Sequence, residues 1–183
     1  PSLSAPATPV AAAAAAPKPA PVAKPAPSPS RPASVADEAR KAAIATIERP
    51  DTGDAANDAY TYGFRLWSAK FYPEAQTQLK TTLEKFGTTS VGSRAQNLLG
   101  RAYLDDGKPA LASVAFYENY RKRPEGDRTA QSLTYLGEAL IQLKKPADAC
   151  KVYDELQKNY GSGLTSDLRT MMEKGRVRAK CGT

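Results

Sequence analysis

The chain has 183 residues, a net charge of +7 at neutral pH and no histidine. Without histidine, Ser-His-Asp and Cys-His catalysis are excluded, and the commonest zinc ligand is missing. No stretch reaches the ~20 apolar residues that cross a bilayer, because the run Ala11–Ala16 ends at once in Pro17-Lys18-Pro19.

Of the 15 prolines, 11 lie within residues 1–50, and no aromatic residue precedes Tyr60. Residues 1–36 are mostly Pro, Ala and Ser, with Lys18, Lys24 and Arg31 and no acid. Such a segment has too little apolar surface to offset the entropy of ordering it. Proline at every second or third position favours polyproline II, so residues 1–54 are expected to form a mostly disordered, semi-rigid linker. Docking of this segment into an aromatic-lined groove is the alternative. The start at Pro1 suggests a mature or shortened fragment, with any signal peptide lying upstream. Within the linker, Ser34 and Asp37 have capping-box spacing, and Ala39, Ala43, Ile44 and Ile47 share one helical face. A short helix over 35–49 is predicted, stopped by Pro50; whether it packs on the domain stays open.

Residues 55–183 are the size of one ordinary domain. Gly63, Gly100 and Gly137 are spaced 37 residues apart, as are Ala75, Ala112 and Ala149, and Leu79, Phe116 and Tyr153. Chain breakers at Gly87, Pro124 and Gly161 keep the same period, and Pro73, Pro109 and Pro146 precede the second half of each unit. Helical spacing within each unit predicts a helix-turn-helix repeated three times, over about 56–92, 93–129 and 130–166. Gly100 and Ala112 let the two helices of the middle unit approach, while Tyr103 and Phe116 fill the space beside them. A final helix over 166–180, with Leu168, Met171, Met172 and Val177 among basic residues, is expected to cap the last unit.

These residues resemble the tetratricopeptide repeat, whose signature has a small residue and a tyrosine in the first helix, then Ala, an aromatic and a terminal Pro in the second. Leu99-Gly100, Tyr103, Ala112, Phe116 and Pro124 match it best; Leu66 and Leu140 replace the tyrosine, and Gly87 and Gly161 the proline, in the outer units. The resemblance implies an all-α helical solenoid of three repeats and a C-terminal capping helix.

Nothing points to an enzyme. Asp105-Asp106 falls in a turn between helices, Gly161-Ser162-Gly163 reads as a helix-terminating turn, and no phosphate-binding loop is present. No cofactor or metal is expected. A solenoid offers instead a groove lined by the first helix of each unit. Helical spacing directs Asn57, Tyr60, Phe64 and Trp67 toward it from the first unit. Arg94, Asn97, Arg101 and Leu104 follow from the second, and Gln131, Thr134, Glu138 and Ile141 from the third. Phe64 and Trp67 have a core alternative. Tyr, Trp and Arg dominate binding hot spots, so this groove suits an extended or helical peptide with apolar and acidic groups. Asn97 with Arg101 also resembles the clamps that some repeat domains use for a C-terminal carboxylate.

Cys150 lies in the second helix of the third unit and Cys181 just beyond the capping helix. Neighbouring helices of a solenoid could bring the two sulfurs together; two unrelated thiols are the alternative. Core packing is a poor account of a cysteine so near the chain end, which favours a disulfide and an oxidising compartment.

Ala59-Tyr60-x-x-Gly63, Phe71-Tyr72-Pro73-Glu74-Ala75, Ala95-Gln96-x-Leu98-Leu99-Gly100 and Pro109-x-x-Ala112, with the cysteine pair and the Pro/Ala-rich linker, resemble the C-terminal domain of the CpoB (YbgF) family of cell-division coordinators. The resemblance implies a periplasmic adaptor of the Tol-Pal system that binds TolA. It further implies a link between a class A penicillin-binding protein, a peptidoglycan synthase, and outer-membrane constriction during cell division. The family's trimerising N-terminal coiled coil has no counterpart in residues 1–50, so a homotrimer is not expected of these residues alone. Two other readings compete: an adaptor for outer-membrane protein assembly, and a basic nucleic-acid adaptor. Residues 1–50 carry six basic and three acidic residues, leaving +4 of the +7 on residues 51–183, which argues against nucleic acid.

Overall fold

The computed structural model describes residues 34–182. Predictions for residues 1–33 lie outside the described residues. Among the described residues the protein is all-helical, with eight α-helices and no strand. They are α1 (Val35–Ala45), α2 (Ala55–Ser68), α3 (Tyr72–Phe86), α4 (Val91–Asp105), α5 (Pro109–Lys122), α6 (Thr129–Gln142), α7 (Pro146–Tyr160) and α8 (Ser166–Ala179), with a 3-10 turn at Gly161–Gly163. No described helix is long and apolar enough to cross a membrane, and no described cluster of acidic or cysteine side chains could hold a metal ion.

Helices α2 to α7 form three antiparallel pairs, joined by one recurring turn. Lys70, Gly107 and Lys144, again 37 apart, all adopt left-handed backbone with φ of 63°, 71° and 59°. At each, the next residue's N–H reaches back to the carbonyl of Leu66, Tyr103 or Leu140 at 2.8–2.9 Å, closing the first helix of the pair. Pro73, Pro109 and Pro146 then stand in the first turn of α3, α5 and α7, where the missing N–H has no helical partner to lose.

The period of 37 is a packing period. A Cβ at Gly63 would press on Leu79, one at Gly100 would overlap the Phe116 ring, and one at Gly137 would overlap Tyr153. Leu79, Phe116 and Tyr153 are wholly buried, as are Ala75, Ala112 and Ala149, so each pair closes around one large side chain set into a gap left by glycine. The first helices touch one another in sequence, α2 with α4, α4 with α6 and α6 with α8, while each second helix packs between consecutive first helices. The stack therefore has the first helices along one face.

The described ends are finished differently. At one, α8 buries Met172, Gly175 and Ala179 against α6 and α7, as a cap must, and Arg176 pairs with Asp154 at 2.5 Å. At the other, α1 has the capping box at Ser34 and Asp37 but ends at Ala45, four residues before the predicted limit. Thr46 turns its hydroxyl onto the Ala43 carbonyl at 2.7 Å, a local bond that competes with continuing the helix.

This segment lies on the first repeat. Arg40 forks onto Glu74 at 2.7 and 2.8 Å and stacks 5.0 Å from the Phe71 centroid. Arg49 covers Tyr62 at 3.9 Å, and Ile44 and Ile47 are half-buried against the core. No residue of α1 is fully buried, so polar contacts carry much of its attachment. The Arg40 hydrogen bonds hold the Glu74 carboxyl below its ordinary value. A depressed carboxyl contributes stability above its unfolded-state pKa and loses it as pH falls through the folded one. Acidification below the usual carboxylate range is thus expected to loosen α1 before the repeats melt. Hydrogen exchange of α1 amides against pH checks this, and Arg40→Gln should weaken the dependence, leaving the part carried by the Asp37 capping box; unchanged protection of α1 in acid would contradict it.

Candidate functional site

The face formed by the first helices carries a row of rings and cations. Phe64 is 42% exposed and meets Trp67 with centroids 5.6 Å apart. The Arg101 guanidinium then stands 4.4 Å from the Trp67 ring and 5.2 Å from that of Tyr135. Tyr135 stacks in turn on the buried Phe116 at 5.8 Å. The row therefore runs from an exposed ring on α2, across α4 and α6, into the core. Trp67 is fixed by donation from its indole Nε1 to Asp105 Oδ2 at 2.7 Å, which places it half-buried rather than in the core.

A second cation lies alongside on α4. Arg94 sits 5.4 Å from the Tyr60 ring and donates to Asn57 Oδ1 at 3.2 Å. Its Nε approaches Asp127 at 3.6 Å, too far for a hydrogen bond, and that buried nitrogen has no other partner among the described residues. Further along, Glu138 accepts from Arg178 and from Tyr153 Oη at 3.2 Å. Burial and the Glu138 charge push the Tyr153 hydroxyl pKa up, keeping it a neutral donor.

Of the expected groove residues, Asn57, Tyr60, Phe64, Trp67, Arg94, Arg101, Gln131 and Glu138 are all at least partly accessible. Leu104 and Ile141 are half-buried against the core. Asn97 and Thr134 are not on the surface. They are 4% and 0% exposed; Asn97 lies on the side of α4 that meets α6. Asn97 donates to Ser132 Oγ at 3.0 Å, and the Thr134 hydroxyl donates to the Ala130 carbonyl at 3.0 Å. With Asn97 turned inward, it cannot clamp a terminal carboxylate beside Arg101.

Three features escaped the sequence. Tyr135 completes the row, and it was not among the residues that helical spacing directed toward the groove. Ser93, Asn97, Asn119 and Ser132 form a buried polar knot, with Asn119 Nδ2 donating to the Ser93 carbonyl at 3.1 Å and to Ser132 Oγ at 2.9 Å. On the opposite side, Leu83, Leu99, Tyr103, Leu111 and Val114 line an open cleft of about 380 Å³ between α3, α4 and α5. Leu111, Val114 and Tyr117 are each about half exposed, although the apolar spacing of α5 counts Leu111 with its buried residues.

Cys150 and Cys181 are joined in a disulfide, with Cα atoms 5.4 Å apart. The bond ties the end of α8 to α7.

No family model matches the chain, and no curated protein matches it in sequence. Solved structures do. PcrH from Pseudomonas aeruginosa, in complex with the chaperone-binding region of PopB, is 13% identical over 72% of this chain and 99% of its own, with a TM-score of 0.57. The Yersinia enterocolitica type III secretion chaperone SycD, bound to a peptide of the translocator YopD, is 16% identical over 68% of this chain and 95% of its own, at TM-score 0.54. TPR-like repeats of a Podospora anserina kinesin light chain are 15% identical over 78% of this chain and 75% of theirs, at TM-score 0.54. The fold is a TPR-like helical repeat. At these identities the likeness carries the architecture and no binding residue.

Proposed function

We propose that this protein is a non-enzymatic periplasmic scaffold that captures a segment of a partner protein along the first-helix face. On this reading it works in the Tol-Pal system, binding TolA and coordinating peptidoglycan synthesis by a class A penicillin-binding protein with outer-membrane constriction. The observation that carries the scaffold reading is the row Phe64–Trp67–Arg101–Tyr135. It presents large, rigid side chains of the hot-spot types on a face built by several repeats. Two of the structural neighbours were solved with peptides of their partners, which supports a protein partner in general. The disulfide fits an oxidising compartment such as the periplasm. TolA and the synthase enter through the sequence resemblance to the CpoB family alone.

Calorimetric titration of the full chain with the periplasmic helical region of TolA tests the reading. Binding that Arg101→Glu abolishes is the expected result. Binding that survives Arg101→Glu unchanged would move the site off this face. Absence of binding would remove TolA and leave a scaffold for another partner.

A further inference from the structure

Arg101 is the cation in the row that has no anion. Its guanidinium carbon lies 4.4 Å from the Trp67 ring centroid and 5.2 Å from that of Tyr135. The N–H donors of a guanidinium lie in its plane and point outward from its edge, so an acceptor meets them there. Among the described residues that edge has no hydrogen bond and no ion pair. Asp105 is committed to the Trp67 indole at 2.7 Å, Asp127 to Arg94, and Glu138 to Arg178. Every other arginine of the first helices and α8 has a carboxylate or carbonyl partner: Arg65 with Glu48, Arg94 with Asp127, Arg169 with the Gly161 carbonyl, Arg176 with Asp154 and Arg178 with Glu138.

We infer that the Trp67–Arg101–Tyr135 stack reads an internal Asp or Glu side chain of the bound segment, with an adjacent apolar residue resting on Phe64. This deepens the groove reading proposed above and depends on it. The charge is complementary, and a planar fork lying against two rings loses little entropy when it takes a carboxylate bidentately. The rings also displace water from the guanidinium faces, which strengthens the pairing. Phe64, 42% exposed and tilted against Trp67, supplies the apolar footing beside it. An internal carboxylate is favoured over a chain terminus because Asn97, the second donor a terminal clamp would use, is buried and turned onto Ser132.

Trp67 is the one tryptophan of the sequence, so its emission and its indole N–H resonance report on this stack alone. The probes are the capped peptide acetyl-Leu-Glu-Leu-Ala-Leu-Glu-Leu-amide, its counterpart with Gln in place of both Glu, and the Gln peptide with a free C-terminus, each titrated into the full chain. The Glu peptide should shift both signals saturably and bind about tenfold or more tightly than either Gln peptide. Added salt should narrow that gap. Arg101→Lys should also narrow it, because an ammonium keeps the charge without the fork. Equal affinities for the Glu and Gln peptides, no response to any of them, or preference for the free C-terminus would each overturn the inference. The comparison is made on the unaltered chain, so a variant that fails to fold cannot obscure it. TolA binding that Arg101→Lys leaves unchanged would also overturn it while keeping the TolA reading. Selectivity for the Glu peptide without TolA binding would keep the inference and remove that reading.

Discussion

Phe116→Ala should lower the free energy of unfolding by about 3–5 kcal/mol. The ring is wholly buried, and it occupies the space Gly100 leaves open. Its remaining neighbours include Ala112 and Ala115 on its own helix, which are too small to relax into the cavity. The loss should extend beyond stability, because Tyr135 stacks on Phe116 with the planes 18° apart and itself supports Arg101. Trp67 emission in the folded variant is therefore expected to shift, although the mutation lies two rings away. Phe116→Leu, which conserves most of the volume, should cost less than about 1.5 kcal/mol. Denaturant melts of both variants decide it; a loss below about 1 kcal/mol for the alanine would mean that the 37-residue period is not a packing period.

Reduction of the Cys150–Cys181 bond should cost roughly 3–4 kcal/mol on the chain-entropy model, given the 31-residue separation it spans. The closed loop contains all of α8, whose buried residues are only Met172, Gly175 and Ala179. The loss should therefore be concentrated there: amide protection in α8 falls first, while α2 to α5 keep theirs. Melts with and without dithiothreitol, beside a Cys150→Ala/Cys181→Ala variant, provide the check. Equal stability in both redox states would show that the α6 and α7 contacts hold α8 without the bond.

The parts of the fold legible in the sequence are those where one residue type has one packing consequence. Gly100 opposite Phe116 is such a pair, since only a missing Cβ admits the ring. Lys70 and Lys144 are the opposite case. Each holds a left-handed turn that Gly107 fills in the middle repeat, yet lysine carries no conformational signature, so the equivalence was invisible. The groove was legible as a face and not as a surface. Spacing assigns Asn97 to the same side of α4 as Arg94 and Arg101, but cannot say that α6 approaches closely enough to cover it. The polar knot around Asn119 draws on three helices, and no pattern within any one of them encodes which hydroxyls will meet. The early end of α1 was hidden for a more local reason: Pro50 signalled a stop, while the Thr46 hydroxyl had already closed the helix.

The two described ends of the repeat array are fastened by different chemistry. At one, α1 is held by the forked Arg40–Glu74 pair, Arg49 over Tyr62 and two half-buried isoleucines; at the other, a covalent bond secures the last helix. In a linear array each repeat is stabilised by its neighbours, so disorder enters from whichever end yields first and then advances repeat by repeat. This solenoid should consequently unzip in one direction. Tension, acid or a protease would open it from the α1 side, past Phe64 and Trp67, and the disulfide-bound repeat would be the last to let go.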